Sequence, residues 1–150
     1  MGLRGPGAKP ARRKRSPKRG VRSVVSFGAT RAERVIRFIE SLKVTTGAHA
    51  GRRFRLRPWQ REIIEAWYAT DPKGRRIVRT GLLSVARKNG KSSLCAALAL
   101  AHLLGPEQER RGQIVVGATD RDQSGLIFDE IVAFIEDNRK LADRVNIKRH

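Results

Sequence analysis

The residues SVARKNGKSS, Ser84 to Ser93, carry the groups that hold a phosphate chain. Gly90 lets the backbone pass close to an anion, the Lys91 ammonium reaches the β- and γ-phosphates, and the Ser92 hydroxyl suits a Mg²⁺ ion. Main-chain N–H groups from Ala86 through Lys88, Asn89 and Gly90 to Ser93 complete the cradle, and the dipole of a following helix adds to it. The pattern G-x-x-x-x-G-K-[ST] is met only in its second half, because Val85 stands where its first glycine belongs. The chemistry expected is therefore binding of a nucleotide's phosphates with Mg²⁺.

Such a loop needs a strand that ends at it and a helix that begins from it. RRIVRTGLLSVA (75–86) reads as the strand, with its apolar residues densest at the loop end. KSSLCAALALAHLL (91–104) is apolar nearly all round and reads as a buried helix stopped by Gly105 and Pro106, with Cys95 a small core residue. GQIVVGA (112–118) is a continuous apolar run, as in a strand covered on both faces. A helix over 120–138 follows, with Ile127, Ile131, Phe134 and Ile135 in phase, and RVNIK (144–148) could open another strand. Strand, helix, strand, helix implies an α/β fold, a parallel sheet with crossover helices of the P-loop NTPase type.

Upstream, a helix over 30–43 has a capping box in Thr30 and Glu33, an apolar stripe of Val35, Ile36, Ile39 and Leu42, and Arg31, Arg34 and Arg37 off it. RRFRLRP (52–58) alternates Phe54 and Leu56 with arginines, like a short strand with one wet face. Pro58 suits the first turn of a helix over 58–69, with Trp59, Ile63, Ala66 and Trp67 along one side, and DPKG (71–74) is a turn.

RKNGKSS, entered from IVRTGLLSVA, resembles the variant phosphate loop of the large terminase subunits of tailed bacteriophages and prophages. In that family the first glycine is often lost and an arginine precedes the G-K-[ST]; Arg87 stands there. The resemblance implies that Arg87 senses the γ-phosphate and acts with Lys91 as a catalytic residue. LRPWQREII resembles the family's adenine-recognition segment, which implies that Gln60 pairs with the adenine edge and that Trp59 packs nearby. VVGATDRDQSGLIFDEIVAFIE resembles the strand and helix that follow, so the likeness covers roughly 30–150.

What the family implies is an ATP-driven motor that packages double-stranded DNA into procapsids. It works from the host cytoplasm at the portal protein, with the small terminase subunit, as a ring of identical subunits. An ATPase also needs an acidic pair at a strand end. Asp129-Glu130 is not that pair, because apolar residues continue past it in helical phase. In the family the pair lies beyond residue 150, and a nuclease domain later still. The chain is therefore expected to be the N-terminal portion, 23–150, of a longer ATPase, apparently truncated and unable to hydrolyse ATP alone.

Charge points the same way. Lys and Arg number 33 against 14 Asp and Glu, a net charge of +19, which calls for a polyanionic partner. Residues 1–22 hold nine of the cations and no acid, and read as a disordered basic tail; the remainder still carries +10. No apolar run is long enough to span a membrane. His49, His102 and His150 share no metal-ligand spacing with Cys95. Two other readings stay open: another P-loop enzyme on nucleic acid, such as a helicase, and a non-enzymatic basic DNA-binding protein whose loop holds DNA phosphates.

Overall fold

The computed structural model describes residues 28–148; the basic stretch 1–22 and His150 lie outside the described residues. Five α-helices follow in order: α1 Arg31–Ser41, α2 Pro58–Trp67, α3 Lys91–Leu103, α4 Arg121–Glu136 and α5 Arg139–Ala142, with one 3-10 turn at Gly47–His49. α1 begins where local chemistry says it should. Thr30 Oγ1 accepts from the Glu33 N–H at 3.1 Å and Glu33 Oε2 accepts from the Thr30 N–H at 2.8 Å, so two orphan donors are satisfied reciprocally. Its stripe of Val35, Ile36, Ile39 and Leu42 is buried, while Arg34 and Arg37 point to solvent.

One core joins the helices. α3 packs on α4, and α1 lies across both α2 and α3. Val35, Ile39, Ile64, Leu94, Leu100 and Phe134 are its fully buried large side chains, together with Leu42. At a rough 2 kcal/mol apiece, such side chains outweigh any single polar contact described below.

The α/β expectation is overturned. Among the described residues there is no β-strand, hence no parallel sheet and no crossover helix; extended pairing is confined to two isolated antiparallel bridges, Lys43 with Arg53 and Thr70 with Arg76. Residues 75–86, 112–118 and 144–148 form no strand. An apolar run expresses a tendency to be covered, whereas a strand exists only where a neighbour supplies N–H and C=O groups. Neither partner nor cover is found here: Leu82 is 94% exposed and Val115 89%. For the same reason α3 is not buried all round. Leu94, Ala96, Ala97, Leu100 and Ala101 are inside, but Leu103 and Cys95 are exposed, so Cys95 is no core residue.

The apolar side of α2 is also rotated from expectation. Gln60 and Ile64 are its buried residues, and Tyr68 just after it, whereas Trp59, Ile63 and Trp67 are half-buried and Ala66 is exposed. Trp67 instead covers the segment leading to the loop. A Cβ on Gly81 would fall 2.6 Å from the Trp67 ring, so glycine is needed there for the backbone to cross the indole.

A polar cluster closes the opposite end. The turn at Gly105 and Pro106 brings Glu107 back beneath α1, where it is 5% exposed and takes the Arg31 Nε at 2.6 Å. Nearby, Tyr68 Oη and His102 Nε2 are 2.8 Å apart, and the Arg76 guanidinium sits over the Tyr68 ring at 5.1 Å. Burial pushes the phenol up to about 12 and the imidazole below its ordinary value of 6.5. With the phenol kept protonated and the imidazole neutral, a single hydrogen bond joins Oη and Nε2, its direction set by the imidazole tautomer.

Both shifts make stability depend on pH. The His102 contribution is present above the unfolded value of 6.5 and is lost as pH falls through the folded one; the Tyr68 contribution is complete below 10.0 and is lost as pH rises toward about 12. Thermal midpoints should therefore plateau near pH 7–10 and fall on both sides, with the alkaline fall reduced in Tyr68→Phe. An alkaline limb unchanged in that variant would show that Tyr68 is not its source.

Candidate phosphate-binding site

The site is built from the start of α2, the turn 87–90 and the start of α3. Pro58 fixes the first turn of α2, and Gln60 reaches back over it. Gln60 Oε1 accepts from the Arg57 N–H at 2.9 Å and the Gln60 N–H donates to the Arg57 carbonyl at 3.0 Å. The side chain is 4% exposed, and its Nε2 lies 3.8 Å from where a Cβ on Gly90 would stand. The acceptor end of the amide thus caps α2 while the donor end meets the loop.

Two backbone positions bend the turn. Gly90, the N-cap of α3, takes φ +74°, which costs glycine nothing. Lys88 takes φ +65°, a left-handed conformation that costs a lysine about 1 kcal/mol. That strain is local evidence that the surroundings hold the turn in shape. Asn89 ties it together: Nδ2 donates to the Ala86 carbonyl at 3.3 Å, and Oδ1 accepts from Arg57 Nη1 at 3.3 Å.

Lys91 folds back across the mouth of this turn. Its Nζ donates to the Val85 carbonyl at 2.9 Å and the Ala86 carbonyl at 3.0 Å. The first loop amide with a main-chain acceptor on the helix side is that of Leu94, bonded to the Gly90 carbonyl at 3.0 Å. The N–H groups of Gly90 to Ser93 find no acceptor among the described residues, as the opening of a helix dictates. The free N–H groups at the N-terminus of α3 favour an anion, and Lys91, the first residue of that helix, adds a cation to the same turn.

The remaining residues are placed as follows. Arg87 and Ser92 are exposed, Ser93 is half-buried, and Arg87 has no ion-pair partner among the described residues. Trp59 is half-buried against the core. Asp129 and Glu130 lie in the body of α4, with Asp129 exposed and Glu130 half-buried. No group of three or more His, Cys, Asp or Glu among the described residues could hold a metal ion, so Ser92 is the hydroxyl this turn offers to one. Arg57 and the Val85 carbonyl take part and were not singled out in the sequence. For Arg57, the signal was its place just before Pro58, at the end of an alternating arginine row.

No described helix is long and apolar enough to cross a membrane. The family model described as "Terminase large subunit, ATPase domain" matches residues 58–150. The large terminase subunit of Enterobacteria phage HK97 is 43% identical over 119 residues, which are 79% of this chain and 23% of that protein. The crystal structure of the HK97 bacteriophage large terminase is similar with a TM-score of 0.71 at 41% identity, over 81% of this chain and 24% of that one. The chain thus spans about a quarter of the length of these relatives.

Proposed function

This chain belongs to the terminase large-subunit ATPase domain family, and from that premise we propose that the turn Ala86–Ser93 binds the triphosphate of ATP for a motor that packages double-stranded DNA. The partners that go with this reading are the portal protein, the small terminase subunit and further copies of the chain in a ring. One observation carries it: the Lys91 ammonium rests on the Val85 and Ala86 carbonyls, over the unpaired amides at the start of α3.

A phosphate arriving there replaces two neutral acceptors with charged ones. Lys91 exchanges its carbonyl partners for phosphate oxygens, a charge-assisted bond roughly twice as strong as a neutral one. The amides of Gly90 to Ser93 gain the acceptors they lack. Arg87, exposed and unpaired, is free to turn its guanidinium onto the terminal phosphate. The Gln60 Nε2, beside Gly90, is the donor left for the adenine edge, with Trp59 of the same helix packed against the core. The Ser92 Oγ would hold the Mg²⁺ that accompanies the triphosphate, and the bound ion would screen the phosphate charge. Asp129 and Glu130 sit within a helix and activate no water at this turn.

The test is calorimetric titration of the 150-residue chain with a non-hydrolysable ATP analogue and Mg²⁺. Saturable binding of one analogue, undisturbed by added duplex DNA, is expected, with ATP turnover near background. Duplex that displaces the analogue would favour the non-enzymatic reading, in which the turn holds DNA phosphates. Brisk turnover would reinstate Asp129-Glu130 as a catalytic pair.

A further inference from the structure

Residues 42–57 form a short, arginine-rich ribbon. The Val44 N–H donates to the Arg52 carbonyl and the Gly51 N–H to the Val44 carbonyl, each at 2.8 Å, and the Phe54 N–H donates to the Leu42 carbonyl at 2.9 Å. A single bridge joins Lys43 to Arg53, too little to make a strand. Phe54 nonetheless fixes the ribbon, being buried with its ring edge-on to Phe134 at 6.1 Å. Alternation then decides the rest. Phe54 and Leu56 face the core, so Arg53, Arg55 and Arg57 face water at a spacing of about 6.6 Å per pair of residues.

Four cations elsewhere on this body are answered by acids. Arg31 pairs with Glu107, Arg61 with Glu40, Arg75 with Asp71, and Lys43, opposite Arg53 in the bridge, with Asp137. Arg53 and Arg55, and Arg52, which is out of phase with them but also exposed, have no acidic partner among the described residues. With Val44 and His49 they line an open cavity of about 670 Å³. The row continues through Arg57, which holds Asn89 of the phosphate turn. Three unpaired guanidiniums on a fixed backbone suit a run of phosphates, because each offers a planar fork of donors and is weakly hydrated.

We propose that the ribbon 52–57 is a docking surface for the phosphate backbone of duplex DNA, with Arg52, Arg53 and Arg55 making the contacts and Arg57 joining them to the phosphate turn. The choice of duplex as the polyanion rests on the proposed function; the ribbon's charge and geometry stand without it.

The full chain is tested with a random-sequence duplex at several salt concentrations. Arg52→Gln/Arg53→Gln/Arg55→Gln is compared with Arg110→Gln/Arg139→Gln/Lys140→Gln, which removes the same charge from other exposed positions. In the ribbon variant the slope of log K against log salt should fall by about 2.7, and affinity at 0.1 M salt by roughly two orders of magnitude. The control should retain most of both. Thermal midpoints confirm that both variants fold. Equal losses in the two would reduce the effect to net charge and overturn the proposal. So would anionic vesicles or polyglutamate competing as well as duplex. If the chain fails to bind the ATP analogue but the ribbon variant alone loses DNA, the nucleotide reading fails and the docking surface stands.

Discussion

Lys91→Ala should lower affinity for the ATP analogue by roughly 10- to 150-fold while leaving duplex affinity nearly unchanged. The estimate follows from what Lys91 does in each state. In the free chain its Nζ bonds two neutral carbonyls, Val85 and Ala86. On phosphate it would make bonds to charged oxygens, and a hydrogen bond to a charged group contributes about 1.5–3 kcal/mol net. Because the native lysine must give up the carbonyls to do this, the gain is a difference and stays near the lower half of what a buried ion pair could supply. The free-state bonds also predict a second effect. Alanine leaves the Val85 and Ala86 carbonyls to water, so the turn should exchange its amides faster even without ligand. Lys91→Arg separates charge from shape: a longer, planar fork overshoots carbonyls placed for an ammonium, and binding should recover only in part. Equal loss of nucleotide and DNA in Lys91→Ala would mean that the turn contacts the duplex itself.

How far the sequence revealed this arrangement depends on what each signal measures. Capping is local: Thr30 and Glu33 name their own partners three residues apart, and the structure contains both bonds. Periodicity is nearly local, and the stripe of α1 was legible for that reason. Sheet pairing is not local. The run at 112–118 says that Ile114 and Val115 are apolar; it cannot say what lies beside them, and here Val115 is 89% exposed. The same gap explains Cys95, whose helix is apolar on a side that nothing described covers. At the candidate site, residue types pointed to a turn before a helix, and the structure has one, with Gly90 at its N-cap and Lys91 opening α3. Gln60 was singled out for a base edge, and the structure shows a prior duty, capping α2 at Arg57. Arg57 went unnoticed because an arginine among arginines looks like solvated charge until its contact with Asn89 is seen.

Phe134→Ala should cost about 3–5 kcal/mol of stability, the largest effect of any single substitution in this chain. Phe134 is 1% exposed, on a helix packed along α3, and its ring meets Phe54 edge-on at an interplanar angle of 66°. Truncation removes the ring's burial and its aromatic pair with Phe54. Domains of this size have about 5–15 kcal/mol in total, so the variant would lose much of its margin. Urea unfolding measures it as a fall in midpoint at constant slope. Phe128, on the same helix but 42% exposed, is the internal control, and Phe128→Ala should move stability by no more than about 0.5 kcal/mol. Because Phe54 loses its partner, the ribbon should loosen before the helices do. Amides at Val44 and Phe54 should therefore lose protection from exchange in Phe134→Ala under conditions where those of α3 keep theirs. Protection lost together in both places would show that the ribbon and the helices unfold as one unit.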